Sequence, residues 1–262
     1  MKFYILFFFF FTIFFSQNLI LGLSPKYSKE KQVERFTLLK SFLQDRLDMI
    51  IEIKYANTAT EFINEYISGE YDIAFSSSIL FVQVRIKNSK VFPLASVKNK
   101  GKTFYKYQIL VKKESGFNSI SDLNGLKFGF GEKESTSRYL IPNYFLSSKN
   151  ILRGDTFFDR KVDVSIERLQ SGEVDAITVY KFGTIPSDLT ALHESFKIPE
   201  YLFSVNTEKV DKNLKERLYK TILAAPIMMS KKLRASYTGF SETRMKNFNH
   251  LIDIAHFYLK ED

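Results

Sequence analysis

The hydrophobic residues of this chain recur with two periods, one typical of helices and the other of strands. Between Ser28 and Leu47 apolar side chains return every three or four residues, which predicts an amphipathic helix. From Met49 to Tyr55 apolar residues occupy every second position, which predicts a half-buried strand. A second helical pattern over Phe62–Ile67 ends at Gly69, and a strand pattern follows over Tyr71–Phe75. Helices that alternate with strands in this way indicate an α/β fold.

The same helix–glycine–strand unit occurs again further along the chain. The segment from Ser68 to Ala74 reads Ser-Gly-Glu-Tyr-Asp-Ile-Ala, and the segment from Ser171 to Ile177 reads Ser-Gly-Glu-Val-Asp-Ala-Ile. Units of this kind build doubly wound sheets, so two distant copies predict two α/β lobes. The alternative is that a common helix-to-strand turn occurs twice by coincidence.

A glycine turn followed by three hydroxyl residues lies near the middle of the chain. Leu126–Phe130 alternates as a strand does, Gly131 begins a turn, and Ser135-Thr136-Ser137 opens an apolar segment. Such hydroxyl residues cap helices, because a side-chain oxygen satisfies an amide that has no intrahelical partner. The same geometry also gathers free amides and hydroxyls beside the positive end of a helix, which suits an oxyanion. The sequence pattern is compatible with both a helix cap and an anion site.

Two further hydroxyl clusters follow predicted strands. Ser76-Ser77-Ser78 follows the strand over Tyr71–Phe75, and Tyr180 follows the strand that contains Thr178. Ligands of open α/β sheets lie beyond the carboxyl ends of strands, so these residues are predicted to meet Ser135–Ser137 at a cleft between the lobes. The alternative for Ser76–Ser78 is a plain helix cap.

The central stretch resembles a known family of transport proteins. Asp122-Leu123-x-Gly125, a strand that begins at Lys127, Ser135-Thr136-Ser137 and Pro142 resemble the phosphate/phosphite/phosphonate-type substrate-binding proteins of ABC importers. The resemblance extends from about Ser24 to Ala225. It implies a two-lobed type II periplasmic binding fold, with two doubly wound sheets joined by two crossing strands. It also implies that the Ser-Thr-Ser turn and Tyr105 contact the ligand.

Five residues depart from the pattern of that family. Val162 stands where the phosphonate binders carry a histidine, Ser76-Ser77 replaces a Gly-Pro step, and Ala59 replaces a tyrosine. Arg138 stands where relatives have a glycine after Ser-Thr-Ser. Its guanidinium either grips the oxyanion or turns outward. The predicted ligand-binding set is therefore Ser135, Thr136, Ser137, Tyr105, Ser76, Ser77, Arg138 and Tyr180, and the identity of the ligand stays open.

The beginning of the chain resembles an export signal. Lys2 precedes the apolar run Phe3–Phe15, which is shorter than the ~20 residues that span a bilayer. Residues 1–23 are therefore predicted to be a signal peptide with cleavage near Gly22 or Ser24, and the alternative is an uncleaved anchor. The protein is accordingly expected in the periplasm. The first lobe is predicted to comprise residues 24–111 and 203–262 and the second residues 112–202, with crossings near Val111 and Leu202.

Composition and motifs narrow the function further. The chain has 262 residues, a formal net charge of +9 and no cysteine, which excludes disulfides and thiolate chemistry. The lysines are spread along the chain rather than gathered in a stripe, so nucleic acid is not an expected partner. The three histidines lack the spacing of a zinc site, and no nucleophile is paired with a base. We therefore expect neither catalysis, nor a metal, nor a cofactor.

The function that these patterns favour is capture of a small oxyanion, phosphonate-like or phosphate-like, in the interlobe cleft. The expected partners are that anionic ligand and the permease of an ABC importer in the inner membrane, and the expected state is a monomer. The alternative is a periplasmic sensor that passes ligand occupancy to a membrane signalling protein. An enzyme of unknown chemistry is a weaker third hypothesis.

Overall fold

The computed structural model describes residues 18–181 and 184–260, and the elements below are those of the described residues. Its strands are β1 Asn18–Leu23, β2 Ile50–Tyr55, β3 Ile73–Ser76, β4 Val91–Asn99, β5 Phe104–Tyr105, β6 Tyr107–Lys112, β7 Phe128–Phe130, β8 Thr156–Phe158, β9 Ala176–Tyr180, β10 Leu189–Glu194, β11 Ile198–Pro199, β12 Leu202–Asn206 and β13 Tyr237–Glu242. Its α-helices are α1 Lys29–Leu47, α2 Ala59–Ile67, α3 Ser78–Lys87, α4 Ile141–Ser148, α5 Val162–Ser171, α6 Lys212–Ala224, α7 Ile227–Leu233 and α8 Ile252–Leu259. None of these helices is long and apolar enough to cross a membrane.

The strands form two larger sheets, one in each lobe. The first lobe contains six strands in the order β13-β4-β12-β3-β1-β2, and the second contains five in the order β10-β6-β9-β7-β8. Both sheets are mixed, with β1 parallel to β2 and β3, and β7 parallel to β8 and β9. Helices cover the sheets because their apolar faces match buried strand residues, as α1 does with Phe36, Leu39 and Leu43. The predicted two-lobed α/β fold is confirmed.

The repeated unit of the sequence occupies equivalent places in the two lobes. Gly69 follows α2 and precedes β3, while Gly172 follows α5 and precedes β9. Both glycines adopt a left-handed backbone conformation, with φ of 84° and 81°. Glycine adopts that conformation at the lowest steric cost, which favours it at both helix ends. Each copy delivers a strand into the interior of its own sheet.

The chain crosses between the lobes at a short two-stranded ribbon. β5 pairs antiparallel with β11, with Tyr105 opposite Ile198. Val111, the first predicted crossing, instead pairs with Thr190 inside the five-stranded sheet. The sheet of the second lobe therefore begins before residue 112, because the alternating pattern from Phe104 to Val111 contains two strands rather than one. Leu202, the second predicted crossing, is the first residue of β12 and follows the ribbon closely.

The predicted signal-peptide boundary at residue 23 conflicts with the sheet of the first lobe. Asn18–Leu23 forms β1, which lies between β2 and β3 in the first sheet. Leu19, Leu21 and Leu23 are each at most 1% exposed, so this strand belongs to the core. Cleavage near Gly22 or Ser24 would remove an interior strand. The rest of the predicted signal peptide, residues 1–17, lies outside the described residues.

Candidate functional site

A cavity of about 510 Å³ lies between the lobes, and most of the predicted ligand-binding residues line it. The second lobe contributes the Ser-Thr-Ser turn and the start of α5, and the crossing ribbon contributes Tyr105. Residues 26 and 234 enter from the first lobe, and residues 200 and 201 enter from the segment between β11 and β12. The predicted residues that line it are Ser135, Thr136, Ser137, Arg138, Tyr105 and Tyr180.

The Ser-Thr-Ser turn begins a π-helical turn, Thr136–Leu140, that continues directly into α4. The Ser135 hydroxyl accepts a hydrogen bond from the Arg138 amide at 3.3 Å, so the predicted helix cap is present. Its own proton remains able to donate to a ligand. The amides of Thr136 and Ser137 have no acceptor among the described residues, because they precede the first carbonyl that the helix can offer them. The turn therefore serves as cap and as a set of donors at the cavity wall.

Two tyrosines form a wall where the lobes meet. The rings of Tyr105 and Tyr180 are 5.4 Å apart between centroids and tilted by 32°. Tyr105 lies on the crossing ribbon and Tyr180 ends β9, so the pair joins that ribbon to the second lobe. Burial raises the pKa of both phenols, so each stays a neutral donor. A neutral hydroxyl donates to an oxyanion, which a phenolate cannot do.

The guanidinium of Arg138 is held by the second lobe rather than by open space in the cavity. Its Nη2 donates to the Ser165 hydroxyl at 2.8 Å, and its Nη1 donates to the Arg160 carbonyl at 3.1 Å. Ser165 in turn donates to Asp159. The position of Arg138 also explains why residue 131 is a glycine, since a Cβ at Gly131 would lie only 2.5 Å from the Cβ of Arg138. Arg138 therefore braces the turn that precedes it.

Replacing Arg138 with Met should lower the free energy of unfolding by about 2–4 kcal/mol, because a buried hydrogen-bonded network loses its centre. Arg160 offers a matched control, since it lines the same cavity with a side chain that is 79% exposed. Arg160→Met should change stability by less than about 0.5 kcal/mol. Urea denaturation of the two variants measures this difference in the free energy of unfolding. An Arg138→Met variant of normal stability that no longer binds a small oxyanion would instead place the guanidinium on the ligand.

The predicted serines of the first lobe do not share this cavity. Ser77 lines a neighbouring cavity of about 190 Å³ together with Thr60 and Gln83. Ser76 ends β3, is fully buried, and its hydroxyl has no hydrogen-bond partner among the described residues. The two cavities have Glu134 and Tyr201 in common, so they are adjacent chambers of one cleft. The structure thus brings Ser77 to the cleft, whereas Ser76 contributes to none of its walls.

Charged residues that the sequence did not single out supply the electrostatics of the cavity. Lys26, Arg160 and Arg234 line it together with Glu134, Asp163 and Glu200. The Nζ of Lys26 lies 3.6 Å from the centroid of the Tyr201 ring, a cation–π contact. Burial, reinforced by Arg234, lowers the pKa of Lys26 to about 7. Burial also raises the pKa of Glu200, although Asn99 donates to its carboxylate at 2.8 Å.

The sequence contains an indication that two of these residues, Lys26 and Glu200, line the cavity. Lys26 follows β1 closely, at the carboxyl end of a parallel strand where ligands of such sheets bind. It was missed because β1 resembled part of an export signal. Glu200 follows the Ile-Pro step of the second crossing directly. Arg234 lies between α7 and β13, and nothing in its local sequence indicates a site.

Anion binding should depend on pH through Lys26. In the empty site its pKa is about 7, and a bound anion should raise that pKa, so binding above pH 7 requires uptake of a proton. We therefore expect the affinity for methanesulfonate, which stays ionised throughout, to fall by up to about tenfold per pH unit above pH 7. Calorimetric titrations between pH 6 and 9 measure this slope. Lys26→Met should flatten it, and an equally steep slope in that variant would exclude Lys26 as its source.

Within the described residues, no group of three or more His, Cys, Asp or Glu side chains is arranged to hold a metal ion. The donors that line the cavity are hydroxyls, amides and cationic groups, and these bind anions directly.

Three comparisons place the chain among known proteins. Residues 21–247 match the family model described as "ABC transporter, phosphonate, periplasmic substrate-binding protein". A probable phosphite-binding protein of an ABC transporter from Prochlorococcus marinus, PhnD1, is 28% identical over 170 residues. That alignment covers 59% of this chain and 55% of the relative, so it spans about half the length of each protein.

Solved structures show the same fold at lower identity. The complex of PhnD1 from Prochlorococcus marinus with methylphosphonate has a TM-score of 0.68 and 19% identity, and the match covers 94% of this chain and 99% of that one. XAC2383 from Xanthomonas citri, bound to ATP, has a TM-score of 0.75 and 17% identity, with coverages of 94% and 98%. The family match spans most of the described residues of both lobes. The chain belongs to the family of periplasmic substrate-binding proteins of phosphonate ABC transporters.

Proposed function

We propose that this protein binds a small phosphorus oxyanion, such as an alkylphosphonate, between its lobes and presents it to the permease of an ABC importer. The observation that carries the proposal is the turn Ser135–Ser137, where hydroxyls and two unpartnered amides line a cavity that also contains Lys26 and Arg234. Family membership supports the transport role. The methylphosphonate complex of PhnD1 supports the ligand class.

The donors at the cavity wall are sufficient for useful affinity without a metal ion. Hydrogen bonds to a charged acceptor contribute roughly 1.5–3 kcal/mol each, and micromolar affinity needs about 8 kcal/mol. The hydroxyls of Ser135, Thr136 and Ser137 and the amides of Thr136 and Ser137 offer five such donors. Tyr105 and Tyr180 add donors where the lobes meet. Part of the free energy gained from these hydrogen bonds offsets the cost of ordering the two lobes around the ligand.

The proposed cycle takes place in the periplasm, and the protein acts as a monomer. Ligand capture closes the lobes about the ribbon of β5 and β11, because those strands join the two larger sheets. The closed form docks on the permease, which distinguishes loaded from empty protein by the arrangement of the lobes.

Titration calorimetry with methylphosphonate tests this function. The matched control ligand is dimethyl methylphosphonate, which keeps the phosphoryl oxygen and loses both ionisable groups. We expect saturable one-to-one binding of the acid in the micromolar range or tighter, and no measurable binding of the ester. Equal binding of acid and ester would contradict anion recognition. Absence of binding for methylphosphonate, phosphite and phosphate alike would contradict the ligand class.

A further inference from the structure

A second, larger cavity adjoins the oxyanion site across the tyrosine pair. Its volume is about 810 Å³, and its lining includes Tyr105 and Tyr180, which also line the oxyanion cavity. The turn that connects β4 to β5 forms one side, and Lys181 and Lys197 contribute to the other. We name this cavity the lysine groove. The tyrosine pair therefore separates the two cavities.

The lysine groove is strongly basic. Five lysines line it, and no acidic residue does so among the described residues: the lysines are Lys100, Lys102, Lys106, Lys181 and Lys197. Lys106 and Lys181 both pair with Glu194, which lies outside the groove lining. The other three form no ion pair with any described residue, so their charges are uncompensated. A concave surface of this charge concentrates anions.

Glu194 holds two of these lysines in place. Its Oε1 lies 2.5 Å from the Nζ of Lys106, and its Oε2 accepts from Lys181. Hydrogen bonds from Lys106 and Lys181 lower the pKa of this carboxylate to about 2, so the pairing persists at any physiological pH. One carboxylate shared by two ammonium groups leaves a net positive charge. Lys106 precedes β6 and Lys181 follows β9 in the second lobe, whereas Lys100 and Lys102 lie in the turn after β4 of the first lobe, so the groove bridges both lobes as the oxyanion site does.

We propose that the ligand carries a second anionic group, which extends past the tyrosine pair into the lysine groove. The inference rests on the proposed function, because the phosphorus oxyanion still occupies the Ser-Thr-Ser turn. The corresponding ligand class is a phosphonate or phosphate ester whose substituent ends in a carboxylate or a second phosphorus group. A simple alkylphosphonate would then occupy only the smaller part of the cleft.

A series of carboxyalkylphosphonates of increasing length tests this proposal. The ligands are phosphonoacetate, 3-phosphonopropionate and 4-phosphonobutyrate, each paired with the branched alkylphosphonate in which two methyl groups replace the carboxylate oxygens. We expect at least one acid to bind about tenfold or more tightly than its uncharged counterpart, since one charge-assisted hydrogen bond is gained. If no acid in the series exceeds its counterpart, the proposal is overturned, and methylphosphonate binding shows separately whether the proposed function stands.

Two double variants test whether the lysine groove causes the tighter binding of the carboxyalkylphosphonates. Lys100→Gln with Lys102→Gln removes two uncompensated charges from the groove. Lys212→Gln with Lys220→Gln removes two exposed charges from α6, outside the groove lining, and is the matched control. In the groove variant we expect the acids to lose most of their affinity advantage over the uncharged counterparts. The affinity for methylphosphonate should change less than about threefold. Equal loss in both variants would overturn the proposal, because general attraction would then explain the preference.

Discussion

Replacing Thr136 with Asp should abolish methylphosphonate binding, with a loss of affinity greater than about a hundredfold. Thr136 is 8% exposed and lies at the cavity wall, so a carboxylate there would face the bound anion with little water between them. Stability should change little, because acidic residues are favoured at the start of a helix. Calorimetric titration and thermal unfolding of the same sample measure both quantities.

Two variants serve as controls for this prediction. Thr136→Val keeps the shape and removes one hydroxyl, so affinity should fall only about 5–30-fold. Thr156→Asp places the same new charge on exposed β8 of the same lobe, and binding should remain within about threefold of wild type. If Thr136→Asp binds methylphosphonate as wild type does, the hydroxyl turn is only a helix cap and the site assignment is wrong.

A chain that begins at Ser24 should fail to fold. It lacks β1, whose side chains Leu19, Leu21 and Leu23 are almost completely buried, and each contributes about 1.5–3 kcal/mol. Loss of the strand also leaves the facing hydrogen-bonding edges of β2 and β3 unpaired. The combined loss is comparable with the whole stability of a typical protein, about 5–15 kcal/mol. Circular dichroism should show no cooperative thermal transition.

A chain that begins at Ser16 is the control for that experiment, and it should unfold cooperatively because it retains β1. N-terminal sequencing of the exported protein adds an independent measurement, and the first residue should be at or before Asn18. A cooperatively folded chain that begins at Ser24, or an exported protein that starts between Gly22 and Pro25, would contradict the place of β1 in the sheet.

The sequence allowed prediction of those elements whose pattern is local. The helix α1 and the strand β2 follow from side-chain periodicity, since each buries one face. Gly69 and Gly172 mark helix ends because the left-handed conformation restricts the residue type. The Ser-Thr-Ser turn could be recognised because a cap and an anion site need the same short-range geometry.

The strand β1 could not be recognised by the same reasoning. An interior strand that is parallel to both neighbours is buried on both faces, so it shows a continuous apolar run instead of alternation. Here that run, Leu19–Leu23, follows the apolar residues Phe3–Phe15 with only a short polar interruption. Periodicity alone does not separate a buried strand from the apolar part of an export signal.

The remaining errors concern contacts between distant parts of the chain. Arg138 is held by Ser165 and by the carbonyl of Arg160, and neither partner is marked by the sequence around Arg138. Lys26 and Arg234 reach the cavity only because the first lobe brings together the ends of β1 and α7. The formal net charge of +9 does not indicate where the charges lie, because their positions depend on the tertiary fold.

A crystal structure of the protein with methylphosphonate would locate the ligand directly. We expect the phosphorus atom within the cavity between the lobes, with its oxygens within 3.2 Å of the Ser135–Ser137 hydroxyls or of the Thr136 and Ser137 amides. Tyr105 should contact the ligand from the crossing ribbon of β5 and β11. A methylphosphonate bound elsewhere, with these hydroxyls and amides solvated, would contradict the assignment of the site.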